Sequence, residues 1–183
     1  MVYHLNVAGI ERDLPLCPLN DELYIGAFVL FGDVELTVKC AGALAAIAPA
    51  HDIMITAESK GIPLIHEMAR QLGENRYALA RKAPKLYMKD VLKCQVQSIT
   101  TEASQCLYLD GDDVAAMKGK RVLIVDDVIS TGQSLHALEQ LVKEAGGEIV
   151  GRMAILAEGD AIARQDITYL APLPLFDKNG NPL

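Results

Sequence analysis

Apolar residues run along this chain in short bursts whose period keeps switching. Leu23 to Phe31 is apolar and β-friendly. Val34, Val38, Ala41 and Ala45 then recur at helical spacing, which predicts a helix over Val34 to Ala48 that Pro49 stops. Asp52 to Ala57 follows as a short buried strand, Ile62 to Leu72 as a helix with Gly73 at its C-cap, and Tyr77 to Ala80 as another strand. Val91 to Ile99 and Gln105 to Leu109 alternate weakly around a polar Ser/Thr/Glu stretch, as a hairpin does. Lys120 to Asp127, Ser134 to Ala145, Glu148 to Ala157 and Thr168 to Ala171 complete a strand, a helix and two further strands.

Strand-helix alternation of this kind predicts an α/β fold, a mostly parallel sheet flanked by helices. Ligands in such sheets bind beyond the carboxyl ends of the strands. Two loops that carry unusual chemistry fall at such ends, one after Ala57 and one after Asp127.

Composition narrows the class. The 183 residues suit one domain, and 51% hydrophobic with 22% charged residues describes a globular chain with a sizeable core. There is no run of 18 apolar residues and no basic-then-apolar leader pattern, so neither a membrane partner nor export is expected. Cys17, Cys40, Cys94 and Cys106 show no C-x-x-C pair and read as free thiols in a reducing cytoplasm. A net charge of −7 argues against a nucleic-acid surface. Yet Lys60, Arg70, Arg76, Arg81, Lys82, Lys85, Lys89 and Lys93 put eight of the 17 basic residues in one central stretch. A solvated helix face accounts for Arg70 and Arg76; the rest suggests a focused site for a small polyanion.

The densest chemistry lies in Val122 to Ser134. A four-residue apolar run ends in the adjacent acids Asp126 and Asp127, and Val128 and Ile129 lead into Ser130, Thr131, Gly132, Gln133 and Ser134. Neighbouring carboxylates repel, which a protein tolerates where a cation or a hydroxyl-bearing ligand sits beside them. The small, hydroxylated loop can turn backbone N–H groups and side-chain hydroxyls onto one anion at the positive end of the next helix. A phosphorylated diol satisfies both halves. After the earlier strand, Glu58, Ser59, Lys60 and Gly61 place a cation and a flexible glycine beside another helix N-terminus, which suits pyrophosphate.

In type and order, these residues resemble the phosphoribosyl-pyrophosphate (PRPP) signature of type I phosphoribosyltransferases. The resemblance implies that Asp126 and Asp127 hold the ribose hydroxyls and the developing positive charge, and that Val128 and Ser130 to Ser134 hold the 5′-phosphate. The loop of Glu58, Ser59, Lys60 and Gly61 is similar to the Ser-Arg-Gly pyrophosphate loop of adenine phosphoribosyltransferases, with Lys60 for Arg. Ala80 to Leu86 resembles the Arg-Lys-x-x-Lys-Leu segment of purine enzymes, implying that Arg81, Lys82 and Lys85 also serve pyrophosphate. Val29 to Val34 resembles an adenine-enzyme hood segment, with Gly32 where a basic residue is usual, and gives Val29 and Phe31 as base contacts. Leu170 to Phe176 is similar to the closing segment of the same enzymes.

Taken over the whole chain, the resemblance implies a purine phosphoribosyltransferase of purine salvage, with adenine favoured. It also implies a hood at residues 1–33, a catalytic core at 34–183, Mg²⁺ held by the substrate rather than by protein ligands, a cytoplasmic homodimer and no nucleic-acid partner. The flexible loop from Lys89 to Glu102 lacks the Tyr-Glu pair of adenine enzymes and resembles that of xanthine phosphoribosyltransferases. A xanthine or hypoxanthine enzyme is therefore one alternative, and a non-catalytic PRPP sensor another. Glu102 stands as a substitute acid or a solvated loop residue. His66 and His136 on helices, and Asp110, Asp112 and Asp113 around Gly111, carry ordinary surface roles, while Glu158 to Asp160 resembles a loop near the base pocket.

Overall fold

The structure, a computed structural model, describes residues 1–96 and 105–183. In chain order the strands are β1 (Val2–Val7), β2 (Ile10–Pro18), β3 (Leu23–Gly26), β4 (Ile53–Ala57), β5 (Ala78–Ala80), β6 (Leu92–Val96), β7 (Gln105–Leu109), β8 (Arg121–Ile129), β9 (Glu148–Glu158), β10 (Thr168–Leu173) and β11 (Phe176–Asp177). The helices are α1 (Val34–Ile47), α2 (Gly61–Leu72), α3 (Gly111–Met117) and α4 (Gln133–Glu144). A short 3₁₀ turn covers Gly159–Ala163.

Five parallel strands in the order β10-β9-β8-β4-β5 form the central sheet, as the alternation of elements predicts. Helices α1 and α2 cover one face through Cys40, Leu44, Leu64, Ile65 and Met68. Helix α4 covers the other through Leu135, Leu138, Leu141 and Val142, joined there by Met117 of α3 and by Cys94 and Leu107 of the β6–β7 hairpin. Local signals set the helix ends. The Asp33 carboxylate caps α1 by accepting from Leu36 N–H at 3.0 Å, and Ala48 is extended, as the residue before a proline prefers. Gly73 closes α2 in the left-handed region, at φ +74°.

A second, antiparallel sheet has the order β1-β2-β3-β11, so both ends of the chain contribute to it. Its β1–β2 hairpin turns at Ala8 and Gly9, both at positive φ, which matches the twist of the flanking strands. The sequence pattern had not singled out this hairpin, although Leu5, Val7, Ile10 and Leu14 alternate onto its buried face.

Two boundaries differ from expectation in ways that matter. The apolar run from Leu23 to Phe31 pairs as a strand only to Gly26, whose missing side chain leaves room for Leu14 and Leu173. Beyond it the alternation continues without a ladder: Phe28 and Leu30 are buried, while Val29 and Phe31 are 50% and 60% exposed. Periodicity there reports burial, not pairing. In the other case β8 does not stop at Asp127 but continues to Ile129, because Val128 and Ile129 pair with Leu156 and Ala157 of β9. The acid pair is thus held inside a strand, on a rigid backbone.

Candidate functional site

Strands β4, β5 and β8 run parallel and adjacent, so the segments that leave their carboxyl ends converge. From β4 come Glu58, Ser59 and Lys60, from β5 Arg81, Lys82 and Lys85, and from β8 the two acids and the loop to Ser134. A pocket of about 300 Å³ lies among them, lined by Ser59, Lys82, Cys106, Leu107, Asp126 and Ser134. A smaller one of about 100 Å³ is lined by Asp126 and by Val128 to Leu135.

The two acids differ in role. Asp126 lines both pockets while remaining 7% exposed, and its Oδ1 accepts from the Asp127 backbone N–H at 2.9 Å and from the Ser59 hydroxyl at 3.3 Å. Burial, and then the neighbouring charge of Asp127, push its carboxyl up to about 7, well above the usual range. Asp127 turns instead toward Lys60, whose Nζ lies 3.3 Å from its Oδ2. That is an ion pair without hydrogen-bond geometry, since the same buried Oδ2 has no hydrogen-bond partner. The Lys60 ammonium donates to the Phe28 carbonyl at 2.7 Å, across to the antiparallel sheet's side of the molecule.

Gly61 is needed for a reason its sequence neighbours do not reveal. Its φ is not in the left-handed region; the demand is for space, because a Cβ would stand 2.7 Å from Thr56 Oγ1 and 3.0 Å from Asp126 Oδ1. Gly132 does match its expected conformational role, at φ +79° immediately before α4. A Cβ there would also meet Arg164 Nη1 at 2.7 Å. Sequence reasoning did not anticipate Arg164, which follows the 3₁₀ turn, beside Gly132, nor Cys106 of β7 in the larger pocket; neither carries a local signal.

Glu58 organises the basic segment. One carboxylate oxygen accepts from Lys82 N–H at 2.9 Å, and the other lies 3.2 Å from Arg81 Nη2 and 4.0 Å from Lys85 Nζ. The Lys82 amide, foremost, and then the nearby cations hold its carboxyl below the ordinary range. Paired backbone hydrogen bonds of 2.8 Å between Arg81 and Tyr108 fasten the segment to β7. The wider basic cluster does not gather at one site: Arg70 pairs with Glu67 on α2 and Arg76 with Asp113, both at 2.8 Å.

Val29 and Phe31 are not core residues, but neither lines the acid pair's pocket. Phe31 lines a separate groove of about 240 Å³ with Leu30, Val34, Pro63 and His66. His66 packs edge-on against Tyr77, and His136 lies on an exposed face of α4 beside Glu139. Asp110 caps α3, and Asp113 pairs with Arg76. Glu102 falls among residues 97–104, outside the described residues. Among the described residues no group of three or more His, Cys, Asp or Glu could hold a metal ion, and no helix is long and apolar enough to cross a membrane.

Comparison with known proteins adds a family pattern to this geometry. A family model for the phosphoribosyl transferase domain matches residues 38–170. An adenine phosphoribosyltransferase of Thermotoga petrophila is 38% identical over 121 residues, covering 66% of this chain and 62% of that relative, so the match spans less than two thirds of its length. A hypoxanthine/guanine phosphoribosyltransferase of Methanotorris igneus is 35% identical over 109 residues, 60% of this chain and 55% of the relative. The crystal structure of adenine phosphoribosyltransferase from Thermoanaerobacter pseudethanolicus superimposes with a TM-score of 0.71 at 21% identity, covering 87% of this chain and 95% of that one, a likeness of fold.

Proposed function

The chain belongs to the phosphoribosyltransferase family, and from that premise we propose that it transfers the phosphoribosyl group of PRPP to a purine base, with adenine favoured, releasing pyrophosphate. The observation that carries this reading is the convergence at one sheet edge of a buried acid, a hydroxyl-rich loop before a helix, and a basic segment fixed by Glu58. A phosphorylated, pyrophosphorylated ribose needs those three environments. The adenine preference rests on the name of the Thermotoga relative; the Methanotorris relative supports hypoxanthine or guanine as the second reading.

In the proposed reaction a purine ring nitrogen attacks C1′ as the bond from C1′ to the pyrophosphate oxygen breaks. The electron pair leaves with pyrophosphate, and the proton of the attacking nitrogen passes to solvent water. Positive charge develops on the ribose meanwhile, so positioning and charge complementarity supply most of the acceleration. Asp126 faces the ribose hydroxyls and that positive charge, and Asp127 adds a buried negative charge behind it. Val128, Ser130, Thr131, Gly132, Gln133 and Ser134 cradle the 5′-phosphate. Arg81, Lys82, Lys85 and the backbone of Ser59 to Gly61 take pyrophosphate; Glu58 serves by aligning those cations rather than by touching an anion. Val29 and Phe31, exposed on the hood, are the base contacts, which requires the hood segment to meet the base at the pocket mouth.

Mg²⁺ fits this site as a substrate-bound ion, since the buried Asp126 carboxyl that lines both pockets makes the surroundings favourable to positive charge. It would neutralise the leaving pyrophosphate, held by phosphate, ribose and water oxygens, as suits a hard octahedral ion. A cytoplasmic homodimer is part of the same proposal. Incubating the pure protein with Mg-PRPP and each purine in turn tests it: nucleotide and pyrophosphate should form, fastest with adenine. If no purine gives product, the enzyme reading fails; PRPP binding without turnover would identify a sensor.

A further inference from the structure

We propose that Lys60 is a positioning residue that ties the base-facing segment of the hood to the ribose-facing acids, rather than a side chain that contacts pyrophosphate. Its role in base binding rests on the function proposed above; the tie itself does not. Lys60 leaves the carboxyl end of β4 as the N-cap of α2, a position from which an ammonium could project to an anion. It instead lies against two groups from distant parts of the chain. Nζ donates to the Phe28 carbonyl at 2.7 Å and stands 3.3 Å from Asp127 Oδ2.

Both partners need it. The Asp127 oxygen is buried with no hydrogen bond, so the ammonium is its source of compensating charge. The Phe28 carbonyl belongs to the stretch beyond β3, where the ladder has ended and the chain needs other anchors. At its start the Ala27 N–H donates to Pro15 carbonyl at 2.9 Å, and at its end Arg12 Nε donates to Asp33 Oδ2 at 2.7 Å. Both of those anchors come from β2, within the hood itself. Lys60, at the N-cap of α2 just past β4, adds a polar anchor from the central-sheet side, beside the packing of Phe28 and Leu30 into the core. Val29 and Phe31, one and three residues past its contact, project outward between the anchors.

One ammonium therefore sets the distance between the hood segment and the acid pair. A ligand that spans ribose and base would read that distance, whereas a pyrophosphate group alone would not.

The test uses the full-length chain with Lys60→Met and, as a milder change, Lys60→Gln, with Lys60→Arg as the variant that keeps a charged donor. Hydrogen exchange without any ligand reads the tie directly. The amides of residues 27–33 should exchange about tenfold faster in Lys60→Met and Lys60→Gln, as loss of one charged hydrogen bond implies, while β8 and β9 stay protected and Lys60→Arg recovers most of the protection. In turnover, KM for the purine should rise about tenfold with KM for PRPP within about twofold, the signature of lost positioning of one substrate. Unchanged exchange at residues 27–33 together with a raised KM for PRPP would overturn the proposal and return Lys60 to pyrophosphate. Inactivity of the wild type on every purine would sink the proposed function but leave the exchange experiment, and so the tie, standing or falling by its own result.

Discussion

Asp126 is the residue at which stability and function pull apart. A folded-state pKa raised to about 7 means that the folded protein holds the proton more tightly than the unfolded chain does. Its contribution to stability is then fully present below the unfolded value of about 3.9, and it is lost as pH rises through about 7. Calorimetry of the ligand-free protein should show the melting temperature falling between pH 5 and pH 8. Asp126→Asn should flatten that fall and melt higher than the parent at pH 8 while losing turnover; parallel pH curves would show that Asp126 is not the titrating group. The sequence showed that two adjacent acids need company. It did not show that Ser59 would hydrogen-bond the first and Lys60 pair with the second, since those partners come from 67 residues away. Gly61 teaches the same lesson, because the Thr56 and Asp126 oxygens that exclude a side chain there are invisible from its neighbours in sequence.

Among elements, the segment after β5 shows how a loop is made into a site. Arg81 to Lys85 has no regular structure of its own, so its order comes from the Glu58 carboxylate and from the Arg81–Tyr108 backbone pair. Glu58→Ala has two opposing effects on PRPP binding. Removing a half-buried negative charge strengthens attraction for an anion by about 1 kcal/mol. Freeing the segment forfeits a charge-assisted hydrogen bond of about 1.5–3 kcal/mol. Disorder wins, and KM for PRPP should rise roughly fivefold, for a net of about 1 kcal/mol, with kcat little changed. A fall in KM would show that charge, not order, governs this element. Helices α1, α2 and α4 were legible within one or two residues because caps, Pro49 and Gly73 mark their ends locally. The end of β8 was not, because Ile129 stays in the strand only through its partner Ala157.

Across the whole molecule, the antiparallel sheet joins β1 to β3 with β11 from residues 176–177, β11 pairing against β3. Phe176 is 1% exposed and packs against Tyr3 with ring centroids 5.1 Å apart. Phe176→Ala should cost about 3–5 kcal/mol, lowering the melting temperature by roughly 6–20 °C in a protein of this size. A loss under about 1 kcal/mol would mean that the antiparallel sheet contributes little to global stability. The amino-acid sequence by itself determined the parallel α/β core, the strand-to-loop chemistry of Asp126 to Ser134 and the basic segment, because helical and strand periods, caps and small-residue loops act over a few neighbours. Only the tertiary structure decided that Asp126 and Asp127 face different partners, that Arg164 backs Gly132, that β11 pairs with β3, and that Lys60 turns toward Phe28. Each of these depends on groups brought together from far apart in the chain, where burial and unpaired charge, rather than local pattern, select the contact.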